Sequence, residues 1–119
     1  MKRGEVWWVD FSPSVGGEIR KKRPAVILSN DLSNKHLDRV QVVPLTSRVE
    51  VLYPSEAYVR LKGRQSKAMA DQLATVSKSR LSGPLCRITR DDLRKVEQAV
   101  LLQLGIVVEA TVKQEPLQS

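Results

Sequence analysis

The chain has 119 residues and a net charge of +7, enough for one domain whose surface suits polyanionic partners. Its 41% hydrophobic content argues against disorder throughout, and no apolar run nears the roughly 18 residues of a bilayer span. Of the polyanions, a membrane is therefore the weakest candidate, and the lone Cys86 excludes an internal disulfide, so a cytoplasmic setting is expected.

Glu5 to Phe11 is the first expected strand, with an apolar run (Val6, Trp7, Trp8, Val9, Phe11) too continuous for a strand with one wet face. Ser12-Pro13-Ser14 ends it, and a charged loop follows to Lys22. Pro24–Leu28 is a buried strand that stops at the polar cluster Ser29-Asn30-Asp31. Asp31 to His36 has room for one helical turn. Arg39 to Leu45 is the next strand, with Pro44 directing it toward a sheet edge or bulge.

Arg48 to Glu56 is expected as loop. Tyr58 to Leu61 alternates and breaks at Lys62-Gly63-Arg64 in the manner of a hairpin. Ala68 to Val76 is a strand pair or one bent strand with Asp71-Gln72 at its middle. Gly83-Pro84 is expected to turn the chain before Leu85–Ile88. The period then changes: Leu93, Val96, Val100, Leu101 and Leu104 recur at helical spacing. Thr89 with Asp92 forms a capping box, and Gly105 closes the helix, which spans about residues 90–104. Short strands with one terminal helix predict a mainly β chain with a C-terminal helix (α+β), a small curled sheet or barrel. The domain is expected over 1–105, with 106–119 as a tail.

The stretch Gly16 to Asp31 joins a charged glycine loop to a rigid apolar strand, with Arg23 at the junction. A strand end fixes the Cα of that arginine while its side chain reaches outward. The bland alternative is a solvated basic loop. Gly16-Gly17-Glu18 followed by Arg23-Pro24 resembles the signature of the MazF/PemK family of toxin endoribonucleases. The stretches RGEVWWVDF (3–11), VVPLTS (42–47), AMADQLATV (68–76) and SRL (79–81) fit the same family, in its order. The resemblance implies an SH3-like barrel that pairs as a homodimer. It also implies a cognate antitoxin that lays an acidic, partly disordered segment in a basic groove.

Metal ligands at recognisable spacing are absent from the sequence, and no cofactor is implied. The inventory of Arg23, Thr46, Glu18 and Asp71 suits metal-independent cleavage of single-stranded RNA, in which the 2′-OH of the substrate is the nucleophile. Arg23 and Thr46 match the family's catalytic pair. Glu18 is the expected assisting base. RNA contacts are expected from Arg20, Lys21, Lys22, Ser47, Asp71 and Gln72, and base preference from the loops near 12–22 and 48–56. Asp71 is also read as a strand residue fixed by hydrogen bonds. Two other classes are weighed: a CcdB-like topoisomerase poison, which lacks its Trp-Gly-Ile terminus here, and a plain RNA-binding barrel that stacks bases on Trp7, Trp8 or Tyr53.

Overall fold

The structure, a computed structural model, describes residues 1–12 and 22–108. Glu18, Arg20 and Lys21 lie outside the described residues. Among the described residues, seven strands and two helices follow one another as β1 (Glu5–Asp10), β2 (Lys22–Ile27), α1 (Asp31–His36), β3 (Arg39–Thr46), β4 (Glu56–Leu61), β5 (Arg64–Met69), β6 (Ala74–Ser77), β7 (Leu81–Arg87) and α2 (Arg90–Leu104). The strands form one antiparallel sheet in the order β4-β5-β3-β2-β1-β7, with β6 added to β3. This is the expected mainly β chain with a C-terminal helix.

The continuous apolar runs arise because the central strands are covered on both faces. Val6, Val26, Val43 and Leu45 pack with Ala57, Val59 and Ala68 and with Val96 and Ala99 of α2. Their neighbours Val9, Ala25, Ile27, Val40 and Val42 form a second core on the other face. The side-chain period of two thus feeds two cores instead of one core and solvent. Trp8 departs from the expectation for β1, being 39% exposed beyond the first core.

β3 holds the sheet together, and it corrects the expectation that Pro44 marks an edge. Pro44 is fully buried and pairs with Ala25 of β2. On the other side, β3 pairs with β6 through residues 39–42 and with β5 through residues 45–46. Pro44 falls where the partner changes, which is where a missing N–H disturbs the ladder least. Gly83-Pro84 is likewise no turn, because β7 runs straight through it. The pairing with β1 shifts register there, an irregularity tolerated on an outermost strand. β5 starts at Arg64, before the apolar signal, and is separated from β6 by a 3-10 turn at Ala70–Gln72. Asp71 is exposed on that turn rather than fixed in a strand.

α2 forms as its periodicity and caps dictate. Thr89 Oγ1 accepts the Asp92 N–H at 3.1 Å, and Gly105, at φ 70°, donates its N–H to the Leu101 and Leu102 carbonyls. Only half of the expected capping box is present. The Asp92 carboxylate turns to β4, where it accepts the Arg60 N–H at 2.8 Å. Asp92→Ala is expected to lower stability by about 1.5–3 kcal/mol, the usual worth of a hydrogen bond to a charged group. Asp91→Ala, at an exposed position of the same turn, is expected to change it by a few tenths. Urea unfolding of the two variants decides, and equal small losses would mean that the bond to Arg60 adds nothing. Among the described residues, no helix is long and apolar enough to cross a membrane.

Candidate active site

Antiparallel pairing brings the start of β2 to the end of β3. The ladder between them ends with Ala25 across from Pro44, and Arg23 and Thr46 each lie two residues beyond that last pair, at the same end of the two strands. Both residues line a groove of ≈ 750 Å³. Lys22 and Ser47 flank them, and the β4–β5 hairpin adds Lys62, Arg64 and Gln65. Trp8 joins the lining from β1, where it pairs with Pro24. The described lining carries four cations (Lys22, Arg23, Lys62 and Arg64) and no carboxylate, so its field selects anions.

Arg23 is half-buried, and its Nε is buried with no hydrogen-bond partner among the described residues. Where Arg23 lines the groove it presents a charged, planar fork whose geometry suits the oxygens of an anion. Thr46 Oγ1 accepts the Arg48 N–H at 3.2 Å. That bond uses a lone pair and leaves the hydroxyl proton free to donate.

The other wall depends on a tight turn. Lys62 at φ 52° and Gly63 at φ 81° join Leu61 to Arg64, a two-residue connection with both residues left-handed. Lysine in that conformation is strained by about 1 kcal/mol or more. The turn sets Lys62 and Arg64 at the groove.

At the end of β1, Arg80 Nη1 donates to the Asp10 carbonyl at 2.9 Å and also to the Ser12 carbonyl. The Ser12 N–H donates to the Asp10 carboxylate, and this bond, ahead of Arg80 and Lys22, holds that carboxyl below its ordinary range. Asp10 is therefore ionised but a weak base.

Of the residues expected at the site, Lys22, Arg23, Thr46 and Ser47 are brought together. Asp71 and Gln72 sit on the 3-10 turn and do not line the groove. Glu18, Arg20 and Lys21 lie outside the described residues. His36 is exposed at the end of α1, before β3 begins. At ~3.3 Å per strand residue, the eight residues of β3 put roughly 20 Å between that end and Thr46. Among the described residues, no group of three or more His, Cys, Asp or Glu side chains is arranged to hold a metal. Sequence reasoning missed Lys62, Arg64 and Gln65, and offered Trp8 only as a stacking surface in the alternative RNA-binding reading. The Lys62-Gly63 turn was visible, but not the curl of the sheet that brings it opposite Arg23.

Residues 2–104 match the family described as PemK-like, MazF-like toxin of type II toxin-antitoxin system. The chain belongs to this family. The toxin is 35% identical to endoribonuclease MazF9 of Mycobacterium tuberculosis, over 89% of this chain and 98% of that one. In structure it resembles MazF from Deinococcus radiodurans, with a TM-score of 0.80 and 29% identity over 89% of this chain and 97% of that one. A MazE–MazF complex from D. radiodurans matches with a TM-score of 0.71 and 26% identity, over the same shares of the two chains.

Proposed function

We propose that this toxin is a cytoplasmic, homodimeric endoribonuclease that cuts single-stranded RNA at a short sequence, without a metal ion. The observation that carries the reading is the presence of Arg23 and Thr46 in the lining of one cationic groove. The 2′-OH gives up its proton to a base and attacks the adjacent phosphorus, the bond to the 5′-oxygen breaks, and that oxygen takes a proton from water, so the products are a 2′,3′-cyclic phosphate and a 5′-hydroxyl. Arg23 stabilises the charge that builds on the phosphorane oxygens, because its planar cationic fork matches two of them. The Thr46 hydroxyl donates a hydrogen bond to the same phosphate. Lys22, Ser47, Lys62 and Arg64 hold the flanking phosphates, and the exposed face of Trp8 gives a base a surface to stack on.

Attack requires a proton acceptor near the 2′-OH. The described lining has no carboxylate, Asp10 is a weak base, and His36 is remote. Glu18 is the one acidic residue in 13–21, the segment that runs into Lys22 and Arg23, and it is the assisting base in this reading. The same cationic groove suits an acidic antitoxin segment, which would block RNA by occupying it. The test is to incubate pure toxin with a long RNA in EDTA and map the ends. Cuts at a recurring short sequence with cyclic phosphate ends are expected. Binding without cutting would favour an RNA-binding barrel that stacks bases on Trp8, and cutting only with added Mg²⁺ would remove the metal-independent mechanism.

A further inference from the structure

We propose that the buried Lys67–Glu56 ion pair is a positioning device that holds the segment after Thr46, and through it the Thr46 hydroxyl, in register for the reaction. The proposal rests on the endoribonuclease reading and adds two residues that touch no substrate. The two side chains are 8% and 11% exposed, with Lys67 Nζ 2.9 Å from Glu56 Oε1. Lys67 stands on β5 directly across the ladder from Thr46.

Each member of the pair also grips the connection between β3 and β4. Lys67 Nζ donates to the Val51 carbonyl at 2.7 Å and lies 5.4 Å from the centre of the Tyr53 ring. Glu56 Oε1 accepts the Tyr53 N–H at 2.9 Å. Nearby, Tyr58 Oη donates to the Val49 carbonyl at 2.9 Å. Apolar burial does little to fix this connection, since Val51, Leu52 and Tyr53 are 52%, 43% and 58% exposed. Polar tethers do the holding, and the ion pair supplies two of them.

The connection matters to the groove because its first residues are part of it. Ser47 lines the groove, and Arg48 gives its N–H to Thr46 Oγ1. That bond sets the rotation of the Thr46 hydroxyl and so the direction in which its proton is offered. If the connection is released, Arg48 leaves and the hydroxyl loses its fixed direction. A buried ion pair is also a poor choice for stability alone, because apolar side chains of similar volume do as well or better in such places. Its geometric exactness suits a group that must hold two points of a loop.

The test uses Lys67→Met, Glu56→Gln and the double change, each assayed well below its melting midpoint. Two readouts are taken: amide hydrogen exchange at Arg48 and Tyr53, and kcat and KM on one RNA. Exchange at both amides is expected to rise about ten-fold or more in the variants. The kcat is expected to fall by about 10- to 100-fold with KM within about three-fold, the pattern of an interaction felt in the transition state. Lost global stability alone would leave kcat per folded molecule unchanged. Should Lys67→Met fail to fold, Glu56→Gln remains a near-isosteric change that weakens the pair. Unchanged exchange, or faster exchange with wild-type kcat, overturns the proposal. Failure of the wild-type toxin to cut RNA would sink the endoribonuclease reading, while the exchange at Arg48 still decides whether the pair fixes the bond to Thr46.

Discussion

Replacing Arg23 with alanine is expected to lower RNA cleavage by about 100-fold or more and to leave the fold intact. The size follows from removing one preorganised charge-stabilising donor. The fold should survive because Arg23 belongs to neither hydrophobic core, and its buried Nε has no partner among the described residues to lose. Lys22→Ala provides the contrast. Lys22 is exposed at the same strand end, so its loss should weaken binding and reduce the salt slope by about 0.7, the share of one phosphate on a single strand. Arg23→Lys keeps the charge but loses the planar fork, and is expected to recover only part of the rate. Small and equal effects from Arg23→Ala and Lys22→Ala would mean that this strand end is a solvated basic surface.

The second large effect is expected in the substrate. A 2′-deoxyribose at the scissile position removes the nucleophile, so cutting there should stop. Binding should stay within about three-fold, because phosphate and stacking contacts supply the affinity. The experiment pairs the deoxy-substituted RNA with its all-ribose parent and measures both cleavage and retention by the protein. Cutting at the parental rate would show that water or another group attacks, and the roles of Arg23 and Thr46 would have to be redrawn. This result is independent of the Arg23 variant, since it changes no residue of the protein.

Local signals in the sequence carried α2, with its Thr89 and Gly105 caps, and the apolar strands that end at Arg23 and Thr46. Those two residues were readable as a pair only through the family resemblance. The ladder that brings their strand ends together pairs residues 25–27 with 42–44, and no periodicity reports such a register. The misjudged places share one cause. Pro44, Gly83-Pro84 and Asp71 were assigned by local rules; partner strands overrode the first two, and a 3-10 turn between β5 and β6 replaced the strand expected at Asp71. Asp92 fitted a capping box, yet its carboxylate serves β4, 32 residues away in sequence. Lys67 and Glu56 gave no signal at all. They are ordinary charged residues in a polar stretch, and only the folded hairpin buries them together.

The Asp92 carboxylate on the Arg60 N–H has a consequence for how the protein meets other chains. β4 ends the sheet on one side, and an unpaired strand there would invite a neighbour to add its own strand. Asp92 occupies one of the donors such a neighbour would need and places a negative charge in its path. β7, at the opposite end, carries the Gly83-Pro84 irregularity, and β6 is only four residues long. Each open end of the sheet is thus a poor template for cross-β growth. A dense population of this toxin should resist fibrous aggregation through the described edges of its sheet.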